Sequence, residues 1–406
     1  MKLIERPVRS IARAVADAAQ RWTNADFPPR VRALGAVCSR TGYSMPVVEY
    51  ACDRLFGAIT QPAIEATVTA ELGSLDPLDD FVARNGSRVR ALPIGRVCIL
   101  SSRTTIGVAV VPAIFALCAK CNVLVKDRED ALVAAFFSTL IDELDELRDA
   151  AVARRWDGER DPHDLGAYGA VVAFGDDSTL RHIRATLSPA ARWIGFGSKV
   201  SVGYVAREAL ADAQAAQQIA QGAARDVVLY DTEGCMSLQL LFVEREGGIT
   251  PAAFAGILSH AIERAAIEFP ASTFNAGQAA AVAGARDAAR FRESVSQQGC
   301  AYSDASGSYL AVFDPPLTQP PLFLPRTLVI YPVDTSQAAA RYLQRHRLPV
   351  EAIAVAGLRD DIAAMALRAG AARIVRYGAL QEPPLRNYHG GRPRIAEFVR
   401  WVTDET

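Results

Sequence analysis

From Arg96 onward, short continuous runs of β-branched and aliphatic residues alternate with longer segments whose apolar positions recur every three or four residues. Residues 97–100, 122–126, 170–174 and 192–196 read as strands, and residues 107–120, 129–148 and 177–187 as helices between them. The strands are apolar throughout rather than alternating. That predicts a parallel sheet covered on both faces, with ligands taken at the carboxyl ends of its strands. Residues 154–167, rich in charge and glycine, read as a loop.

A second α/β set starts near Val200. It comprises a helix over 207–223, a polar turn, a strand over 240–244 and a helix over 251–268. Strands follow over 309–313 and 327–331, then a helix over 335–345, a strand over 352–356, a helix over 360–369 and a strand over 373–377. Five prolines between Asp314 and Pro325 predict a connecting loop. Before Arg96, Pro28-Pro29, Ser44-Met45-Pro46 and Thr60-Gln61-Pro62 mark helix starts. The expected organisation is a helical N-terminal segment (1–87), a cofactor-binding α/β domain (88–199), a catalytic α/β domain (200–378), and a tail (379–406) that packs back on the cofactor domain. The tail should end in an amphipathic helix closing at Trp401.

Composition narrows the function classes. The chain has 406 residues, half of them apolar and 22% charged, with a net charge of -1. No basic excess is available to neutralise phosphates, so a nucleic-acid partner is excluded. The longest apolar run, residues 108–119, is too short for a membrane span and contains Pro112. Residues 1–22 alternate arginines with apolar positions and carry Glu5 and Asp17, which reads as a surface helix, not a signal. Seven scattered cysteines point to a reducing cytoplasm. Cys118 and Cys121 form a C-x-x-C in a buried helix with no second ligand pair, so packing is expected and no metal site. His163, His182, His260, His346 and His389 have no ligand spacing and read as surface or packed residues.

The candidate chemistry lies in residues 226–239, Asp-Val-Val-Leu-Tyr-Asp-Thr-Glu-Gly-Cys-Met-Ser-Leu-Gln. Cys235 closes a polar turn before an apolar strand. A cysteine so held is either a nucleophile or a small packed residue. Glu233 beside it would raise the thiol pKa, so that carboxylate reads as solvated.

The strand ends carry an ordered set of motifs. They are Ile99-Leu100-Ser101-Ser102-Arg103-Thr104, then Lys126-Asp127-Arg128-Glu129, Phe174-Gly175-Asp176-Asp177-Ser178, Ile194-Gly195-Phe196-Gly197-Ser198-Lys199 and Glu233-Gly234-Cys235. His389-Gly390-Gly391-Arg392-Pro393 closes the chain. This set resembles the aldehyde dehydrogenase fold and, more closely, the LuxC-type acyl-CoA reductases. The resemblance implies an α/β, aldehyde-dehydrogenase-like fold of two doubly wound domains. It implies Cys235 as nucleophile, followed by Ser237 and Gln239. It also implies Lys126 and Glu129 at a coenzyme ribose, with Arg128 suited instead to a 2′-phosphate. NADPH is expected on family grounds, and NADH stays open. Gly175 and Ser178 open the helix that would face the pyrophosphate, although Asp176 and Asp177 there suit plain capping equally well.

Two departures shape the expected reaction. Gly195 occupies the position where oxidising relatives carry a general-base Glu, which argues for reduction rather than hydrolysis of an acyl-enzyme. The usual oxyanion-donating Asn is replaced by Arg103 or Thr104. The implied activity is reduction of an acyl thioester, acyl-CoA or carrier-bound acyl, to an aldehyde. The alternatives are a CoA-acylating aldehyde dehydrogenase using NAD and a catalytically degenerate member that binds an acyl carrier protein or partner. A homo-oligomer is a family expectation only.

Overall fold

The computed structural model describes residues 2–102, 104–128, 131–156, 164–296 and 299–406. Arg103, Glu129 and His163, singled out in the sequence, lie outside the described residues. The chain forms two compact units. One comprises Met1–Ser198 with Pro384–Thr406, the other Lys199–Pro383.

In the first unit five parallel strands run in the spatial order Ala151–Arg154, Asn122–Lys126, Arg96–Leu100, Ala170–Phe174 and Arg192–Phe196. Val97, Cys98, Ile99, Val171, Val172 and Ala173 are buried in the middle of this sheet, as a sheet covered on both faces requires. Helices Val110–Cys118, Leu132–Glu143 and Asp177–Ala185 connect the strands. The predicted 129–148 helix is shorter than expected. It ends at Glu143, and the strand Ala151–Arg154, which the sequence did not predict, follows just before the expected loop.

Four helices, Val8–Trp22, Pro28–Thr41, Met45–Ala58 and Gln61–Leu72, precede the sheet. Their fixed point is Trp22, fully buried against Phe56 and Phe136, whose ring centroids lie 4.8 and 5.9 Å away. Trp22 Nε1 donates to Thr139 Oγ1 at 3.0 Å, so the indole buries without an orphaned N–H.

Helix does not extend to residue 87. Strands Val82–Arg84 and Ser87–Pro93 form a hairpin whose turn residues, Asn85 and Gly86, have φ of 52° and 83°. An Asn-Gly pair suits that two-residue turn because both positions are left-handed. The expected terminal helix is also absent. Val399–Asp404 is a strand that pairs antiparallel with Ser87–Pro93. Arg192 Nη1 donates to the carbonyls of Ala396, Glu397 and Val399, and these bonds hold the backbone extended out of the short 3-10 turn Ala396–Phe398.

The second unit carries a seven-stranded sheet in the order Cys300–Tyr302, Leu310–Phe313, Thr327–Val333, Leu238–Glu244, Val200–Val205, Val350–Ala356 and Arg373–Val375. Only the first strand is antiparallel to its neighbour. Helices Ala213–Val228, Pro251–Glu268, Ala276–Ser296, Ser336–Arg345 and Asp360–Arg368 accompany it. The expected 207–223 helix begins at Ala213, where Asp212 caps the Ala215 amide at 2.9 Å, and runs on to Val228. Tyr204, Phe242, Tyr331, Tyr342, Ile353 and Met365 belong to the core of this unit. Among the described residues no helix is long and apolar enough to cross a membrane.

Candidate active site

Cys235 sits just before the strand Leu238–Glu244, at the amino end of the second unit's sheet. The chain reaches it through three consecutive left-handed residues, Tyr230, Asp231 and Thr232, with φ of 55°, 50° and 63°. Each such non-glycine residue costs roughly 1–3 kcal/mol and persists only where its surroundings over-determine it. Those surroundings are visible. Buried Arg326 donates from Nε to Asp231 Oδ1 at 2.6 Å, and its backbone N–H donates to the Asp231 carbonyl at 2.9 Å. The Ser272 amide donates to Asp231 Oδ2 at 3.1 Å, and Gln239 Nε2 donates to the Thr232 carbonyl at 3.1 Å. On the far side of the turn, Ser201 Oγ donates to the Cys235 carbonyl at 2.8 Å, and Gln381 Nε2 donates to Ser237 Oγ at 2.8 Å.

The Cys235 side chain is half-buried. Burial pushes its thiol up to about 11. Glu351 adds to the rise, while Lys199, the residue's own backbone N–H and Arg373 work against it. Lys199 Nζ is 2.8 Å from Glu351 Oε2. Arg373 is buried, with Nη1 3.5 Å from Met236 Sδ and 3.0 Å from the Leu380 carbonyl, and Nη2 3.0 Å from the Ala379 carbonyl. The loop that supplies those carbonyls is held by Asp226, whose carboxylate accepts from the Gly378 amide at 2.7 Å and the Leu380 amide at 3.2 Å. Burial pushes Asp226 up to about 7 despite these two donors. Gly222 permits the approach, since a Cβ there would stand 2.7 Å from the carbonyl carbon of Tyr377.

The other cysteines differ. Cys52, Cys98, Cys118 and Cys121 are buried, and burial pushes their thiols up to about 12, 12, 12 and 11. The C-x-x-C pair is therefore packing, with Cys121 Sγ against the Phe398 carbonyl. Cys38 and Cys300 are half-buried like Cys235, and the charges acting on them are acids alone, Glu49 for the first, Glu293 and Asp314 for the second. Among the described residues no cluster of three or more His, Cys, Asp or Glu is placed to hold a metal.

In the first unit, the strand tips gather Ser101, Lys126 and Arg128. Ser101 Oγ donates to the Lys126 carbonyl at 3.0 Å and accepts from the Arg128 amide at 3.1 Å. Lys126 Nζ lies 5.0 Å from the centre of the Trp156 ring. A cation over an aromatic face at the carboxyl end of a parallel strand suits a dinucleotide site. Thr104 is half-buried, its carbonyl 3.1 Å from Tyr43 Oη and its Oγ1 3.4 Å from Ser102 Oγ.

The helix opened by Gly175 is capped by its own side chains. Asp176 Oδ1 accepts from the amides of Ser178 and Thr179, both at 2.9 Å. Hydrogen bonds from Ser178 and Thr179 hold Asp176 well below the usual carboxylate range. The Gly175 amide donates to the Phe196 carbonyl at 3.2 Å. Of the two readings the sequence allowed at this turn, capping is the one these bonds make, and the amides of Gly175 and Ser178 are already engaged. His389 is a packed residue, its ring 4.3 Å from Phe196 and 5.7 Å from Phe174.

The sequence singled out Cys235 as a candidate and quoted Lys199 only as the end of a motif, and it gave no role to Glu351, Arg373 or the Asp231–Arg326 pair. The available signal was charge inside otherwise apolar strand starts, at Lys199-Val200, Val350-Glu351-Ala352 and Arg373-Ile374.

The architecture is shared with solved structures at low sequence identity. An NAD-dependent benzaldehyde dehydrogenase from Corynebacterium glutamicum superposes with a TM-score of 0.71 at 12% identity, over 100% of this chain and 87% of that one. Aldehyde dehydrogenase 21 from Physcomitrella patens gives 0.69 at 12% identity, over 99% and 86%. An oxidoreductase from Marinobacter aquaeolei gives 0.75 at 13% identity, over 98% and 86%. The fold is thus that of the aldehyde dehydrogenases. No curated protein matches the sequence. The family model of the LuxC acyl-CoA reductases matches residues 3–401, nearly the whole chain, and the protein belongs to that family.

Proposed function

We propose that this protein reduces an acyl thioester, from CoA or a carrier protein, to an aldehyde with NADPH, through a thioester on Cys235. Membership in the acyl-CoA reductase family supplies the reaction class and implies a nicotinamide cofactor. The observation that carries the residue assignment is the contrast among the half-buried cysteines. Acids act on all three, but only Cys235 also has cations, Lys199 and Arg373, acting on it against burial and Glu351.

In this reading the Cys235 sulfur, as thiolate, attacks the carbonyl carbon of the donor thioester. The bond to the donor sulfur breaks, and that thiolate leaves and takes a proton from solvent. The acyl group then rests on Cys235 as a new thioester. A nicotinamide held by Lys126 and Arg128 supplies the hydride when bound. Lys126 and Arg128 are proposed to pair with its ribose and 2′-phosphate, with Glu129 in the ribose role if the coenzyme is NADH. Arg103 and Thr104 are the proposed oxyanion donors. When the reduced acyl group collapses to the aldehyde, the bond to Cys235 breaks and the sulfur leaves as thiolate, so no strong acid is needed. With Gly195 in the general-base position, water is given no activating carboxylate there.

The test is intact-mass spectrometry after incubation with a panel of acyl-CoA thioesters in the absence of coenzyme. A mass increase equal to the acyl group, mapped to Cys235 and absent from Cys235→Ala, is expected. A protein that acquires no acyl group from any donor, or acquires it elsewhere, refutes the proposal. A folded protein that binds acyl carrier protein without becoming acylated favours the degenerate, partner-binding alternative.

A further inference from the structure

Four adjacent parallel strands of the second unit start at four chemically distinct residues. In sheet order they are Leu238–Glu244, Val200–Val205, Val350–Ala356 and Arg373–Val375. Cys235 lies just ahead of the first, Lys199 directly ahead of the second, Glu351 at the start of the third, and Arg373 opens the fourth. The strand starts are in register. Ser201 pairs with Leu238 and with Ala352, and Ala352 pairs with Arg373. A thiol, an ammonium, a carboxylate and a guanidinium therefore line one edge of the sheet in that order.

The order is built, not incidental. The register slips between Val350 and Ala352, so Glu351 is the extra residue of a β-bulge. A bulge re-aims a side chain that regular pleating would direct elsewhere. Here the buried carboxylate is brought to 2.8 Å from Lys199 Nζ. Arg373 is only 9% exposed, and its Nη atoms reach carbonyls and the Met236 sulfur. Its Nε is buried with no hydrogen-bond partner. A buried guanidinium with one N–H unmatched is costly unless an anion arrives. Glu351 and, less strongly, Asp226 act on Arg373, and burial favours the neutral form of Asp226.

We infer that Lys199, Glu351 and Arg373 are positioning residues that govern when Cys235 becomes an anion: Glu351 opposes the charge, and Lys199 and Arg373 receive it. The inference rests on Cys235 being the nucleophile. At rest Glu351 occupies Lys199, and the thiol keeps its proton. The thiolate takes over part of the fields of Lys199 and Arg373, both of which otherwise act on Glu351. The other charged groups around the turn are committed elsewhere. Asp231 is bound by Arg326, and Glu233 Oε1 accepts from Gln278 Nε2 at 2.8 Å. Glu382 acts on Asp226.

The experiment is the pH profile of iodoacetamide alkylation at Cys235, read by peptide mass spectrometry on the full-length protein without substrate or coenzyme. Glu351→Gln removes the opposing charge and releases Lys199, so alkylation at a fixed pH below the midpoint should speed up by about tenfold or more, one pKa unit being a factor of ten in thiolate. Arg373→Met should slow it by a similar factor, and Arg373→Lys should recover part of the loss. Opposite signs in the two variants are not expected of residues that only support the fold. Thermal melts identify any variant that is unfolded, and Glu351→Gln with Arg373→Lys decides the matter if Arg373→Met does not fold. Profiles that coincide with the parent in folded Glu351→Gln and Arg373→Lys overturn the inference. Because the reagent needs no acyl donor, failure here is separable from failure of Cys235 to form an acyl-enzyme.

Discussion

Arg326 and Asp231 are bound to each other twice, side chain to side chain at 2.6 Å and amide to carbonyl at 2.9 Å, and both stand in the left-handed backbone region. Neither side chain reaches solvent to any extent, at 0% and 2% exposure. The pair is the clamp that holds the turn leading to Cys235 in a conformation its residues do not favour. Removing one partner leaves a buried charge without compensation, a loss of about 3–5 kcal/mol in comparable cases. Arg326→Met is therefore expected to lower the urea midpoint markedly. The double variant Asp231→Asn with Arg326→Met should recover part of that loss, because no unpaired charge is left. An additive double variant would show that the two residues are not coupled.

Asp226 ties stability to pH. Its folded value is about 7 and burial is the main cause, whereas an unfolded Asp titrates near ~4. Raised in the folded state, it contributes stability that is fully present below the unfolded value. That stability is lost as pH rises through the folded value, so the fall spans roughly pH 4 to 7. Asp226→Asn keeps an acceptor for the Gly378 and Leu380 amides and removes the titration. Melting temperatures across that range should fall less steeply with rising pH in the variant than in the parent. Parallel curves would place the titration elsewhere.

The regular parts of both sheets are legible because continuous apolar runs such as residues 97–100 and 170–174 can form little else. The Pro251–Glu268 helix is legible because Thr250 caps it and proline opens it. What escaped has physical causes. Ala276–Ser296 is about half alanine and arginine with few large apolar residues, so its 3.6-residue period is faint. Val399–Asp404 mixes charged and apolar residues, and its partner Ser87–Pro93 is far away in the sequence. The Asn85-Gly86 turn was readable and marks the hairpin that a helical reading overran. Cys235 was visible as a residue type on a turn. Its surroundings were not, since Asp231 and Arg326 are 95 positions apart and the aim of Glu351 depends on a bulge.

In the proposed reading, coenzyme choice turns on Arg128. Ser101 fixes the backbone of Lys126 and Arg128, so a side-chain change at 128 should not disturb the strand tip. A charged hydrogen bond to a phosphate is worth about 1.5–3 kcal/mol, roughly a factor of 10 to 150 in binding. Arg128→Ala is expected to raise the KM for NADPH by about that factor while leaving the KM for NADH nearly unchanged. Lys126→Ala should weaken both coenzymes, because the ribose it is proposed to contact is common to them. Equal losses for NADPH and NADH in Arg128→Ala would remove that side chain from the 2′-phosphate.

The Cys235 thiol, pushed up to about 11, leaves little thiolate at neutral pH. Below such a value the thiolate fraction grows about tenfold for each pH unit. If attack on the donor thioester limits acylation, the single-turnover rate of acyl transfer should climb with that slope from pH 6 to 9 in the absence of coenzyme. Hydride transfer does not enter that measurement, so its pH dependence cannot mask the result. Substitution of Cys38 or Cys300 by Ser should leave the slope and the rate in place, while Cys235→Ser should reduce the rate by orders of magnitude, because a hydroxyl is a far weaker nucleophile than a thiolate. A plateau beginning below pH 8 would mean that Cys235 is already ionised in the free enzyme, and that Lys199 and Arg373 outweigh burial and Glu351.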